Sequence, residues 1–199
     1  LMKIKLFFLT IGACILTYLI FTANNRQYLT ITSIYDDSTT IKESYNVHLN
    51  QSLNMSIPTS YYTFHRENFE IENVVDKIQD NVDNIQEKLD SSNIILVYLG
   101  DFEVLYEKNA TINIYNELQK LFITLRKYNS KQIIFISPVN MSSSYLLEDL
   151  AKKYKIEFFN TPSLLNKRMV YNYQLSEEDH KIIAQKLQNI IMSTWKVEN

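Results

Sequence analysis

From Tyr28 onward the chain alternates short apolar runs with longer amphipathic stretches. Two of the runs, Ile-Ile-Leu-Val-Tyr-Leu at 94–99 and Ile-Ile-Phe-Ile-Ser at 133–137, are apolar at nearly every position, as in parallel strands covered on both faces. Strands are predicted at 29–35, 60–65, 94–99, 132–137 and 156–159. Between them, Ile71, Val74, Val75, Ile78, Val82, Ile85 and Leu89 keep one continuous helical stripe. Tyr115, Leu118, Leu121, Phe122 and Leu125 form a second, and Leu146, Leu147, Leu150, Ala151 and Tyr154 a third. A last helix is predicted from Ser176, a good N-cap, with Glu177, Glu178 and Asp179 at the positive end of its dipole. Its apolar face is Ile182, Ile183, Leu187, Ile190 and Ile191. Repeated strand–helix alternation predicts an α/β three-layer sandwich around a five-stranded parallel sheet. Ligands of such sheets bind beyond the carboxyl ends of the strands, so the loops at 36–40, 65–69, 100–107, 138–144 and 162–175 are where a site belongs.

Composition removes several alternatives. A chain of 199 residues is long enough to bury a core without a disulfide or metal staple. A formal net charge of -2 excludes the basic surplus of a nucleic-acid binder. One cysteine, Cys14, permits no intrachain disulfide and no cysteine-based zinc site. With two glycines, Gly12 and Gly100, neither a Walker nor a dinucleotide-type phosphate loop can be built. The neighbours Asp36 and Asp37 lack a third ligand at defined spacing and read as a solvated turn, so no metal and no cofactor is expected.

Residues 6–23 are uncharged and apolar, follow Lys3 and Lys5, and at 1.5 Å per residue would span about 27 Å, close to a bilayer's hydrocarbon thickness. They predict one N-terminal transmembrane helix, with residues 1–23 as an anchor and residues 24–199 as an extracytoplasmic domain. Two other readings stand beside it. A cleaved signal peptide would want small residues where Phe21 lies; a lipobox is suggested by Ile11-Gly12-Ala13-Cys14, with Cys14 lipidated. All but the cleaved peptide leave the protein tethered at a membrane.

The loop after the first strand reads Tyr35-Asp36-Asp37-Ser38-Thr39-Thr40. A serine at such a strand-to-helix turn can expose its hydroxyl at the sheet's rim, beside backbone N–H groups that suit an oxyanion. Here the chain resembles the SGNH, or GDSL-type, hydrolase superfamily, whose first block is Gly-Asp-Ser-x-Thr: Asp37, Ser38 and Thr40 match, and Asp36 stands at the glycine. The resemblance runs over roughly residues 28–192 in order. It continues through Asn-Ile-Ile-Leu-Val-Tyr-Leu-Gly-Asp-Phe-Glu at 93–103, Lys-Gln-Ile-Ile-Phe-Ile-Ser-Pro-Val-Asn at 131–140, and the segments at 146–165 and 174–187. It implies an SGNH/flavodoxin-like three-layer fold and ester chemistry, as in esterases, lipases and carbohydrate O-acyl hydrolases or transferases.

Carried over position by position, the resemblance puts Ser38 at the nucleophile. Gly100 matches an oxyanion glycine, while Phe102 replaces the oxyanion asparagine and Glu103 the aspartate after it. Losing one oxyanion donor costs about 3–4 kcal/mol of transition-state stabilisation. The second block's glycine is absent, and Arg66-Glu67-Asn68 stands there. In the last block, Tyr171 replaces the acid and Gln174 the base. A glutamine side chain takes up no proton at neutral pH. Two histidines offer substitutes. His180 forms Glu177-x-x-His180, imitating the acid–base spacing, and is otherwise a structural helix residue; His65 ends the second strand at the correct rim, and is otherwise a packing residue. Ser38 itself reads equally as a helix N-cap beside Asp37. Tyr61, Tyr62, Phe64, Phe69, Phe102, Tyr106, Tyr145, Tyr171 and Tyr173 are expected on or near the rim, where aromatics could stack on sugar rings or fill volume.

The expectation is a membrane-tethered, SGNH hydrolase-like protein on the extracytoplasmic face of a bacterial cell membrane, with esterase activity weakened or lost and a binding or accessory role. Asp37, Gly100, Phe102, Tyr171 and Gln174 would line the binding rim for a glycan, lipid or envelope-protein partner. The alternative is an active serine esterase or O-acyltransferase using Ser38 with His180 or His65.

Overall fold

The computed structural model describes residues 28–36, 44–65, 74–99, 108–128, 131–137, 144–165 and 175–198. Its strands are β1 (Leu29–Asp36), β2 (Thr59–His65), β3 (Ile94–Leu99), β4 (Gln132–Ile136) and β5 (Glu157–Phe159). Every neighbouring pair is parallel, in the order β2-β1-β3-β4-β5. The five strands fall where the sequence places them, within a residue at each end.

Alternation within the strands sends side chains into two cores. Ile34, Ile95, Val97, Ile133 and Phe135 face one side; Leu29, Ile31, Ile94, Leu96, Tyr98, Ile134 and Ile136 face the other. The first side is covered by α2 (Val74–Gln79), α3 (Ile85–Ser91), α4 (Lys108–Tyr128) and α5 (Ser144–Lys153). The second is covered by α1 (Tyr45–Asn54) and α7 (Glu177–Glu198), with the short α6 (Thr161–Leu164) at its margin. Covering both faces is what makes the central runs apolar throughout.

Two features depart from the sequence reading. The stripe at 71–89 is not one helix: a 3₁₀ turn (Val82–Asn84) separates α2 from α3, and Asn81, Asp83 and Asn84 take left-handed φ of 54°, 53° and 59°. Asparagine and aspartate adopt that region more readily than other non-glycine residues and are poor helix formers. The break is held by Gln86, whose Nε2 donates to the carbonyls of Ile78 at 2.7 Å and Gln79 at 3.0 Å. Apolar spacing alone does not see such a break. Secondly, Tyr61, Tyr62 and Phe64 do not project from the rim as free stacking surfaces: Tyr61 packs towards α1, while Phe64 is buried under the opposite helices with Tyr62 against it.

The last helix starts as expected. The Ser176 hydroxyl and N–H donate to Asp179 Oδ2 at 2.7 Å and 2.9 Å, and the Asp179 N–H returns to Ser176 Oγ at 3.2 Å. This is a capping box with aspartate in place of glutamate. Among the described residues no helix is long and apolar enough to cross a membrane; the anchor expected at 1–23 lies outside the described residues.

Candidate active site at the carboxyl ends of β1 and β3

The strand order fixes where a site belongs. From β1 the chain crosses to β2 on one side, then to β3 on the other, so the connections diverge between β1 and β3. Such a switch point opens a crevice at the strands' carboxyl ends. At that crevice Asp36 is in register with Leu99, and Tyr35 with both His65 and Tyr98. The next residues along the two central strands are Asp37-Ser38 and Gly100. The sequence-predicted nucleophile and oxyanion glycine thus continue from the two strands that form the crevice. Ser38, Asp37, Gly100, Phe102, Tyr171 and Gln174 lie outside the described residues.

His65 ends β2 at this rim, its Cα paired with that of Tyr35. His180 is placed fully: it lies in the first turn of α7, 1% exposed, and its Nδ1 accepts the backbone N–H of Tyr45 at 3.3 Å. The two rings lie 6.5 Å apart and nearly parallel at 19°, and Tyr45 meets Tyr98 edge-on at 5.7 Å. Tyr45 opens α1, so His180 satisfies one of the donors that a helix start leaves unpaired. It also ties α7 to the helix that follows the Ser38 loop.

Beneath the crevice lies a polar cluster that the sequence reading missed. The Ser33 hydroxyl donates to Asn46 Oδ1 at 2.9 Å, and the Tyr61 hydroxyl donates to the same oxygen at 2.5 Å. Asn46 is 5% exposed, and its Nδ2 has no hydrogen-bond partner among the described residues. Burial pushes the Tyr61 phenol well above its ordinary pKa, and the Ser33 hydrogen bond offsets part of that. On the opposite face of β1 the Ser92 hydroxyl donates to Thr32 Oγ1 at 2.7 Å, and the Lys88 carbonyl at 2.7 Å also lies within its reach. Two adjacent polar residues inside a central strand, Thr32-Ser33, were the available signal, because buried hydroxyls need partners.

Towards β5 the rim is closed. The Ser137 N–H donates to the Phe159 carbonyl at 3.0 Å and its hydroxyl accepts the Thr161 N–H at 3.1 Å, with both Ser137 and Thr161 fully buried. Among the described residues no three histidine, cysteine, aspartate or glutamate side chains gather as metal ligands would.

No protein-family model matches this sequence, and no curated protein matches it. Solved structures do. A lipase, Lip_vut3 from a goat rumen metagenome, superposes with a TM-score of 0.58 at 12% identity, over 81% of this chain and 96% of that one. The acetyl xylan esterase AlAXEase gives 0.56 at 11% identity, over 81% and 99%. An inhibitor-bound M. smegmatis aryl esterase gives 0.57 at 10% identity, over 82% and 99%. The chain therefore shares the three-layer α/β fold of this lipase and these two esterases, the architecture that the sequence resemblance implies.

Proposed function

We propose that this is a membrane-tethered, SGNH hydrolase-like protein of the bacterial cell surface, whose ester-cleaving machinery is weakened or lost and whose rim serves a binding or accessory role. The observation that carries this reading is the register of Asp36 with Leu99 at the switch point. The strands that lead into Asp37-Ser38 and Gly100 are therefore neighbours in the sheet, while in the sequence the positions that should supply donor, acid and base hold Phe102, Tyr171 and Gln174. Ester chemistry is supported by the lipase and the two esterases that share the fold. The tether is supported by the apolar run at 6–23.

A second reading, an active serine esterase or O-acyltransferase, is favoured by the position of His65 one strand away from Asp36. In it the Ser38 oxygen attacks the acyl carbon, the base takes the hydroxyl proton, and the leaving alcohol departs with that proton. Treating the full chain with a fluorophosphonate separates the two. No labelling at high protein concentration supports the binding role. Stoichiometric labelling that vanishes in Ser38→Ala overturns it, and His65→Gln and His180→Gln then identify the base.

A further inference from the structure

All five strands are parallel, so the sheet has two unlike ends, and the end opposite the crevice carries its own chemistry. There α4 finishes with Arg126 and Lys127, Lys131 precedes β4, α5 finishes with Lys152 and Lys153, and Lys155 precedes β5. The five lysines are exposed. Among the described residues the acids at this end are Asp90, Glu157, which accepts a hydrogen bond from Gln132 at 2.7 Å, and Glu198 at the end of α7, with Glu148 and Asp149 one turn from Lys152 and Lys153. Helix dipoles account for cations in a last turn. They do not account for Lys131 and Lys155, which lie beyond the helices.

Those two lysines are held in place. Arg126 donates to the carbonyls of Tyr154 at 3.0 Å and Lys131 at 2.6 Å, and to that of Lys155 as well. One guanidinium thereby gathers the two loops around a cleft of about 530 Å³ lined by Arg126, Lys131, Lys153, Tyr154 and Lys155. Lys155 takes a left-handed φ of 57°, a conformation that glycine adopts at no steric cost. At the β1–β2 side of the same end, Tyr28 is 61% and Met55 83% exposed, next to the Leu29 N–H bond to the Pro58 carbonyl. Cations on the β4–β5 side of this end and exposed apolar and aromatic side chains on its β1–β2 side are the combination that suits the interface of an anionic bilayer.

Chain length supplies the occupant. Only five residues, 24–28, separate the apolar run at 6–23 from Leu29, and the last of them, Tyr28, is at this end of the sheet. At no more than about 3.6 Å per residue, those residues can hold the edge no further than about 20 Å from the end of the run. We propose that the amino-terminal end of the sheet rests on the anionic phospholipid surface of the membrane that holds residues 6–23. Lys131, Lys153 and Lys155 meet lipid phosphates, and Tyr28 and Met55 enter the interface. This rests on the tethered reading above. It also narrows the substrate class of that reading. The eight residues of β1 then set the crevice about 26 Å above the bilayer, facing away, so its ligand is not a lipid of that same membrane.

The test uses the full chain in nanodiscs of phosphatidylcholine alone or with about 30% phosphatidylglycerol, probed by amine acetylation and peptide mass spectrometry. Several-fold protection of Lys131, Lys153 and Lys155 in the anionic discs, reversed by high salt and absent at Lys181 on the crevice side, is the expected result. In Lys131→Glu/Lys153→Glu/Lys155→Glu the protection of Lys127 and Lys152 disappears. A chain that elutes with the discs but labels equally in both lipids overturns the docking alone. A chain that does not elute with the discs overturns the tether, and the docking with it.

Discussion

The imidazole Nδ1 of His180 accepts the backbone N–H of Tyr45 at 3.3 Å, joining the first turn of α7 to the first turn of α1 across 135 residues. Replacing His180 by phenylalanine keeps a ring of similar shape against Tyr45 and leaves that N–H without its acceptor, which costs about 1–3 kcal/mol. Alanine also opens a cavity and should cost roughly 1–2 kcal/mol more. Urea unfolding of the three proteins should show this order. Equal midpoints for wild type and His180→Phe would mean that the ring's contacts, and not the hydrogen bond, are what α7 provides.

Asn46 receives two hydroxyl donors on one oxygen, so Ser33→Ala and Tyr61→Phe should not act independently. Each is expected to cost about 1 kcal/mol, with a coupling of at least 0.5 kcal/mol (roughly) between them in a double-mutant cycle. An additive result would show that the two hydroxyls do not share Asn46 in solution.

The same cluster sets a dependence on alkaline pH. Burial raises the Tyr61 pKa in the folded protein above its ordinary value near 10, so the folded state holds the phenol proton more tightly than the unfolded chain. That contribution is complete below about pH 10 and is lost as pH rises from there towards the folded-state pKa, by at most about 1.4 kcal/mol per pH unit. Denaturation midpoints measured between neutrality and pH 11 should fall less steeply above pH 10 in Tyr61→Phe than in wild type. Parallel slopes would contradict a buried, protonated phenol.

Arg126 bonds three backbone carbonyls from two loops, and burial holds its pKa somewhat below the ordinary guanidinium value without discharging it. A lysine ammonium cannot reach three diverging carbonyls with one planar fork. Arg126→Lys should therefore destabilise by about 1–3 kcal/mol while keeping the charge, and Arg126→Met by no less. Thermal unfolding at matched ionic strength checks this; a neutral Arg126→Lys would assign the guanidinium no structural role.

Sheet and helices were legible in the sequence for a simple reason. In a parallel sheet buried on both faces, each central strand is an unbroken apolar run, and 94–99 and 133–137 are such runs. The Ser176–Asp179 cap was legible because it is local: four residues contain all its partners. The Ser33–Asn46–Tyr61 cluster was not, since its members lie on different elements and only the packing of α1 against β1 and β2 brings them together. His180 was noticed for its spacing from Glu177, a pattern along the chain, whereas its partner Tyr45 is distant in sequence. The crevice is located by topology, which sets β1 beside β3 and so fixes the strand ends that lead into 36–40 and 100–107.

The break at 80–84 shows what a stripe cannot report, and it gives a last prediction. Asp83 holds φ at 53° with an exposed side chain, so its conformation is set by the backbone on either side. Asp83→Gly removes the Cβ that makes this region costly, a gain of about 1 kcal/mol, and loses part of it to the greater freedom of the unfolded chain. A net stabilisation of roughly 0.5 kcal/mol is expected, whereas Asp83→Val, β-branched and intolerant of that φ, should destabilise by more than about 1 kcal/mol. If valine is instead tolerated and glycine destabilises, residues 74–91 form the single continuous helix that the apolar spacing suggests, and the turn centred on Val82–Asn84 is not the conformation in solution.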